Sequence, residues 1–344
     1  MNEHERDRSA RAVRRDVGIF MRWRPLRGRS GPKVDGSKVA LGQDGPKTDP
    51  TTIDPSQRPG LPPSDRCLFI VGAARSGTTI LQNALNDAPD IFLFGEPNFH
   101  DDAGAPGFAA RYNAMHRSWA NQETKSTFCP AVLSTDGAWT DYLLRLKAHY
   151  RYVGSKIVIN PVRDGGYLGR FFDFHCRDFY RSHYLFTFRR PLPTVASTRG
   201  LQVLVRGESD DLRTILRNYA EVAGLYIRMA RNLPHVRAVF HEDVGRPTFD
   251  ALERWLEVPL EGSHRYYEAS KVNRYEGLDG TLGYPEIFAA LEGIYDGLRQ
   301  EAGAEFRALQ AEQNDNHLSA AHFTAIGKIQ RQIDAVIRDL TVGG

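Results

Sequence analysis

Residues 68–85 constrain the fold of this chain more than any other part of it. An apolar run, Leu-Phe-Ile-Val, ends at Gly72, and a short loop of small residues follows before residues 80–85, which have the apolar spacing of a helix. A strand, a glycine-containing loop and a helix form a phosphate cradle, because the loop N–H groups and the positive end of the helix point at one spot. The pattern predicts an anion site, although any strand-to-helix turn rich in small residues looks similar.

The loop departs from the nucleotide-binding P-loop at one position. The spacing from Gly72 to Thr79 matches G-x-x-x-x-G-K-S/T, but Thr78 stands where that pattern has its lysine. The cation is instead Arg75, inside the loop. A nucleoside triphosphatase needs its lysine at the helix start, where it reaches the β- and γ-phosphates. The displaced cation favours another phosphate chemistry, and a P-loop kinase or NTPase is the alternative.

The sequence Gly-Ala-Ala-Arg-Ser-Gly-Thr-Thr resembles the 5′-phosphosulfate loop of sulfotransferases that use 3′-phosphoadenosine 5′-phosphosulfate (PAPS). That family carries Lys or Arg inside the loop, where this chain has Arg75. The resemblance implies a donor site made by the following residues: Gly72, Ala74, Arg75, Ser76, Gly77, Thr78 and Thr79.

The chain divides by composition into two parts. The N-terminal part is arginine-rich around a small apolar centre at residues 17–23, and residues from about 30 to 65 are rich in Gly, Pro and polar side chains without periodicity. We expect a disordered basic tail and linker over residues 1–65, and a sulfotransferase domain over residues 66–344. A basic stretch with Phe and Trp could touch an anionic membrane surface, but a solvated tail is the simpler interpretation.

Apolar segments that resemble strands alternate with helical patterns along most of the second part. This alternation indicates βαβ units, and therefore an α/β fold of the P-loop-like, three-layer type, with a central parallel sheet of about five strands flanked by helices. The predicted strands span residues 67–71, 91–94, 152–159, 184–188 and 236–240.

Composition argues against several classes of protein. The net charge of +3 gives no strong nucleic-acid footprint, so we expect no nucleic-acid partner. The three cysteines lack C-x-x-C spacing, which supports neither a disulfide framework nor a zinc ribbon. No apolar run approaches the ~20 residues that span a bilayer, and the N-terminus lacks the features of a secretory signal. A cytoplasmic location is therefore expected, and the oligomeric state is not predicted.

A second anion-binding pattern follows the fourth predicted strand. Arg189 ends the strand, Pro191 and Pro193 suit the first turn of a helix, and Ser197 lies on that helix. A guanidinium and a hydroxyl near a helix N-terminus suit a dianion. The spacing resembles the sulfotransferase 3′-phosphate motif, R-x-P-x-x-x-x-x-S, which implies that Arg189 and Ser197 bind the 3′-phosphate. An ordinary surface turn is the alternative.

Glu96 follows the second predicted strand, where ligands of open parallel sheets bind. Sulfuryl transfer to an alcohol needs a base for the hydroxyl proton. The segment Glu-Pro-Asn-Phe-His resembles the E-x-x-F-F context of the catalytic glutamate in carbohydrate sulfotransferases, the heparan sulfate type included. The resemblance implies that Glu96 is the base. His100 is the second candidate, and a strand-end carboxylate paired with an arginine is the alternative.

Lys156 lies in an otherwise apolar predicted strand, so its ammonium must leave the core or meet an anion. The segment resembles the G-x-K-x-P stretch of carbohydrate sulfotransferases, although extra residues precede Pro161. The resemblance implies that Lys156, together with Arg75, stabilises charge on the transferred sulfuryl group. A surface lysine is the alternative.

Four other segments have less specific roles. Lys271 and Arg274 lie in a stretch that partly resembles the family's adenosine-covering loop, and residues 108–150 are expected to form a mostly helical wall on the acceptor side. Residues 241–243, His-Glu-Asp, resemble a stretch common in bacterial members of the family and are interpreted as structural. The apolar stripe over residues 326–340 predicts a helix that packs on the core, with a dimer contact as the alternative.

These resemblances predict a PAPS-dependent O-sulfotransferase whose product is 3′,5′-adenosine bisphosphate. Glu96, Lys156 and Arg75 would be catalytic, and no metal would be required because arginine and lysine side chains replace Mg²⁺. The acceptor would be a hydroxyl on a carbohydrate or on a small-molecule alcohol. A P-loop kinase or NTPase and a non-catalytic nucleotide-binding relative are the rival functions.

Overall fold

A single parallel sheet organises the structure, a computed structural model that describes residues 67–96, 146–148, 150–161, 166–267, 283–308 and 320–342. Its five strands lie in the order β2-β3-β1-β4-β5, and every pairing is parallel. They are β1 (Cys67–Ala73), β2 (Ile91–Gly95), β3 (Tyr152–Ile159), β4 (His183–Phe188) and β5 (His235–Phe240). The predicted α/β fold with a parallel sheet is confirmed.

Helices cover both faces of the sheet and make three layers. The helices are α1 (Thr78–Asn86), α2 (Tyr167–Asp178), α3 (Pro191–Arg206), α4 (Leu212–Asn232), α5 (Arg246–Leu256), α6 (Pro285–Ala308) and α7 (Ala320–Val342). Residues of α1 and α5 share one apolar core with the sheet, and residues of α2, α4, α6 and α7 share the other. Strands buried on both faces need apolar residues throughout, which is the pattern that the sequence shows.

The C-terminal stripe packs on the core, as predicted. Ile326, Ile329, Ile333, Val336 and Leu340 are each at most 6% exposed. Residues of α7 lie in the same core cluster as residues of α4 and α6. Over the part of the chain that the structure describes, no helix is long and apolar enough to cross a membrane.

The strand order places a crevice between the carboxyl ends of β1 and β4. After β1 the chain passes to β2 on one side of the sheet, and after β4 it passes to the neighbouring β5 on the other. Ligands of such sheets bind where the connections diverge in this way. Several predictions lie outside the described residues: the tail of residues 1–65, most of residues 108–150, His100, and the pair Lys271 and Arg274.

Candidate active site

The glycine loop after β1 is packed so tightly that only glycine fits at its start. A Cβ at Gly72 would lie 2.4 Å from Ser76 Oγ and 2.4 Å from Thr187 Oγ1. Those two hydroxyls are hydrogen-bonded at 2.8 Å and buried, so the loop is fixed to β4. Thr187 was not predicted as a site residue, because its partner is 111 positions away in the sequence.

The first turn of α1 has no side-chain cap. The helix begins at Thr78, after Gly77 with φ of 102°, without a side-chain cap and without an acidic residue in its first turn. The first N–H groups of a helix have no partner within it and carry a partial positive charge. Thr198 Oγ1 donates to the Ala74 carbonyl at 3.2 Å, which ties the loop to α3. Loop and helix together have the form of an anion cradle.

Arg75 joins the two predicted anion-binding segments. Its Nε donates to Ser197 Oγ at 2.9 Å, although the two residues are 122 positions apart. Arg75 has φ of 69°, a left-handed conformation that costs a non-glycine residue roughly 1–2 kcal/mol. Such strain persists only where the surrounding structure enforces it, and it clusters at functional sites. The glycine loop and the serine of the second motif therefore line one place.

Lys156 is wholly buried and meets a carboxylate. In the sheet it pairs with Ile70 of β1, which lies in the core beneath α1. Its Nζ lies 2.7 Å from Glu96 Oε1 and donates to Thr79 Oγ1 at 2.9 Å. Burial lowers the pKa of Lys156, Glu96 opposes that effect, and Arg75 adds to it. The ammonium thus links the end of β2 to the first turn of α1.

Glu96 stands at the end of β2 with its carboxylate partly open to solvent. Its backbone N–H donates to the Lys156 carbonyl at 3.1 Å, and its side chain is 27% exposed. Its φ is 45°, so Glu96 is left-handed like Arg75. Among the described residues four non-glycine positions have a positive φ, and these two both follow the carboxyl ends of strands, β1 and β2. The predicted residue is therefore held in a defined place, against the predicted lysine.

Arg189 is buried at the end of β4, with a histidine nearby. The Arg189 side chain is 7% exposed, and its carbonyl accepts a hydrogen bond from the Tyr219 hydroxyl at 2.8 Å. Burial lowers the pKa of His241 to about 4, Arg189 adds to this, and Glu242 opposes it. The charge of Arg189 thus acts on the same small volume as the imidazole.

His241 packs directly on the glycine loop. Its Nδ1 lies 3.0 Å from the position that a Cβ at Gly77 would take. That nitrogen is buried and has no hydrogen-bond partner among the residues that the structure describes. A buried polar atom without a partner is uncommon and needs an explanation. His183 Nδ1 is in the same state, but of these two histidines only His241 lies against the glycine loop, which makes it a candidate site residue. Sequence reasoning missed this role, since a histidine after a strand has no distinctive signal.

The two residues after His241 serve the fold instead. Glu242 accepts hydrogen bonds from the Arg190 backbone N–H at 3.0 Å and from the Tyr295 hydroxyl. Asp243 accepts from Arg299, and its carbonyl accepts from Thr248. The interpretation of this stretch as structural holds for these two carboxylates but is incomplete for the histidine.

No protein-family model matches this chain, and no curated protein matches it in sequence. Among solved structures, the sulfotransferase domain from the curacin biosynthetic pathway is similar at 18% identity and a TM-score of 0.40. The similarity covers 66% of this chain and 83% of that domain.

Proposed function

We propose that this protein is a PAPS-dependent sulfotransferase that moves the sulfuryl group to a hydroxyl acceptor. The observation that carries the proposal is the 2.9 Å hydrogen bond from Arg75 to Ser197, which joins two anion-binding segments. PAPS carries anions at two places, a 5′-phosphosulfate and a 3′-phosphate. A nucleoside triphosphate carries its anions in one chain and needs only one cradle. Two linked sites therefore fit PAPS better.

The donor is held at both of its anionic ends. The 5′-phosphosulfate accepts hydrogen bonds from the loop over residues 72–79 and from the first turn of α1. Arg189 and Ser197 bind the 3′-phosphate, since a guanidinium and a hydroxyl form charge-assisted bonds with a dianion. His241 presents beside the loop an Nδ1 that has no partner among the described residues. It supplies an additional hydrogen bond to the donor.

The transfer step needs alignment and charge stabilisation rather than covalent chemistry by the protein. The acceptor oxygen attacks sulfur, the bond from sulfur to the phosphate oxygen breaks, and adenosine 3′,5′-bisphosphate leaves. Glu96 takes the hydroxyl proton, because its carboxylate is partly exposed beside the loop. Lys156 and Arg75 stabilise the negative charge that moves onto the leaving phosphate oxygen.

The Lys156–Glu96 pair supports this assignment of roles. Burying an ion pair contributes little net stability, because the cost of desolvation offsets the attraction. A wholly buried ammonium that reaches from Glu96 to Thr79 is better explained by the charge of a substrate. Lys156 contacts Thr79 at the start of α1 and Glu96 contacts Lys156, so both are in place when donor and acceptor meet.

Calorimetry with adenosine 3′,5′-bisphosphate tests the donor. We expect it to bind much more tightly than AMP, because only the bisphosphate reaches Arg189 and Ser197. Binding of ATP with Mg²⁺ is the matched measurement for a P-loop kinase. Equal affinity for the bisphosphate and AMP would contradict the proposal, and preference for ATP with Mg²⁺ would replace it.

Transfer itself is tested with PAPS that carries ³⁵S in the sulfuryl group and a panel of sugars and simple alcohols. Label in an acceptor product, with release of the bisphosphate, is the expected outcome. Tight bisphosphate binding without label transfer to any acceptor would favour a non-catalytic nucleotide-binding protein.

A further inference from the structure

Helix α3 starts at the donor site and continues beyond it. Its residues up to Gly200 are mostly buried, and its side chains from Leu201 onward are largely exposed. Two consecutive residues fix which face meets the loop, since Ser197 binds Arg75 and Thr198 binds the Ala74 carbonyl. Helix α3 continues past these contacts with the loop to Arg206.

The face that meets the loop becomes apolar and exposed one turn later. At 100° per residue, Leu201 and Val205 lie between the directions of Ser197 and Thr198 on the helix, and Leu204 lies close to Ser197. We call Leu201, Leu204 and Val205 the α3 strip, and their exposures are 38%, 45% and 71%. Leu201 lies about 6 Å along the helix axis from Ser197, and Val205 about 12 Å.

Polar contacts hold this end of α3 in place. Gln202 donates to Asp210 at 2.6 Å and accepts from its backbone N–H at 3.0 Å. Arg206 donates to the same carboxylate at 2.8 Å. Asp210 therefore fixes this end of α3 through residues on a different side of the helix from the exposed apolar side chains. Clustered exposed apolar residues of this kind indicate a binding surface.

We infer that the α3 strip binds the apolar part of the acceptor, and that the acceptor is an alcohol with an aliphatic chain. The inference rests on the proposed function. The reacting hydroxyl must reach the sulfuryl group near Arg75, so the rest of the acceptor extends away from the loop. The strip begins one helical turn from Ser197 on the side of α3 that meets the loop, so a chain that extends from Arg75 along this side of α3 reaches it. It offers methyl groups where a sugar would require hydrogen-bonding side chains.

A series of primary alkanols of increasing length tests the inference in the labelled-PAPS assay. Each added methylene that reaches the strip should raise kcat/KM by about two- to fourfold, because burying a CH₂ is favourable. The double variant Leu201→Ser, Val205→Ser should flatten this dependence. Its affinity for adenosine 3′,5′-bisphosphate should be unchanged, which separates the strip from the donor site.

Val203→Ser is the matched control. Val203 is 46% exposed, and it lies on the opposite side of α3 from Leu201 and Val205. It removes a similar apolar group and should leave the chain-length dependence as it is in the wild type. If the control flattens the dependence as much as the double variant, or if the wild type shows no dependence, the inference is wrong.

Two further measurements cover the remaining outcomes. Saturation-transfer NMR with 1-octanol, in the presence of the bisphosphate, reports binding without turnover, and loss of signal in the double variant alone supports the strip. Absence of the saturation-transfer signal from the wild type overturns the inference, whereas failure of bisphosphate binding overturns the proposed function.

Sedimentation tests whether a second copy of the chain binds to this surface. If the wild type is a dimer, the double variant is a monomer, and the chain-length dependence is the same in both, the acceptor role of the strip is wrong.

Discussion

The two ends of the sheet both hold polar side chains that are buried or half-buried, but their charge states differ. At the carboxyl ends, Lys156 is wholly buried and lies 2.7 Å from Glu96. At the amino ends of β4 and β5, His183 and His235 stack with centroids 4.6 Å apart and an interplanar angle of 4°, and Trp255 packs edge-on against His183. The carboxyl ends therefore contain an ion pair, and the amino ends contain an aromatic stack.

The polar groups at the two ends differ in what surrounds them. Burial lowers the pKa of His183 to about 3, and the neighbouring His235, Arg237 and Arg151 add to this, so the ring is neutral near pH 7. A neutral ring contributes contact area as any aromatic does. Lys156 instead has a counter-charge, in Glu96, that favours its ionised form. Changes at the carboxyl ends should therefore affect turnover, and changes at the amino ends should affect stability.

The largest expected effect is on turnover by Glu96→Gln. The amide keeps the size of the side chain but cannot accept the proton, so kcat should fall by about 10²–10⁴-fold. Affinity for adenosine 3′,5′-bisphosphate should barely change, because the proposed donor contacts are made by other residues. Pre-steady-state transfer from labelled PAPS measures the first quantity, and calorimetry measures the second.

His100→Ala is the companion variant. If Glu96→Gln keeps near wild-type turnover while His100→Ala loses it, His100 is the base and the assignment of Glu96 is wrong. If both variants stay active, the acceptor loses its proton without help, as a phenol would.

The next effect in size is on donor affinity, and adjacent arginines provide its control. Arg189→Ala should weaken bisphosphate binding by about 2–3 kcal/mol, because a charge-assisted hydrogen bond to the 3′-phosphate is lost. Arg190→Ala should leave it almost unchanged, since Arg190 is 2.6 Å from Glu292 and 3.3 Å from Asp296. Calorimetry on both variants, with AMP as the reference ligand, decides whether the 3′-phosphate site is where we place it.

The sheet was predictable from sequence because its signals are local. Each strand is a short apolar run bounded by turn residues, and no predicted boundary is wrong by more than two residues. The start of α3 was predictable for the same reason, because Pro191 and Pro193 suit a first turn and fit badly within a helix. The apolar stripe of α7 likewise follows from periodicity alone.

The contacts of the site were less predictable because they join distant segments. Sequence reasoning required an anion near Lys156, and Glu96 supplies it, but the bond to Thr79 depends on the register of β1 and β3. His241 became a candidate only when its imidazole was found against Gly77, 164 positions earlier in the chain. A glycine in the sequence indicates that another group approaches the backbone closely, but it does not identify that group.

A smaller effect, on stability, is expected at the amino ends. The folded-state pKa of His183 is about 3, below the ordinary value of 6.5, so the unfolded chain binds a proton that the folded chain does not between these values. Its contribution to the free energy of unfolding is therefore complete above pH 6.5 and falls by up to ~1.4 kcal/mol per unit as the pH drops towards 3. Urea unfolding measures the free energy of unfolding of the wild type and of His183→Phe across this range. The wild-type value minus the variant value should fall on acidification, while turnover stays the same. A constant difference would mean that the ring is not buried as a neutral group.

The smallest effect distinguishes the two histidines directly. His241 and His183 both have lowered pKa values, about 4 and about 3, but only His241 lies beside the loop and Arg189. An anion that binds there favours the imidazolium, so the pKa of His241 should rise by about one unit or more on addition of adenosine 3′,5′-bisphosphate. His183 should titrate at the same pH with and without ligand, because it lies at the opposite ends of the strands. Histidine ring NMR signals, assigned by single His→Gln variants, report both groups in one titration. If the pKa of His183 shifts as much as that of His241, the bisphosphate alters the whole fold. The result would then contradict a binding site at the carboxyl ends of the strands.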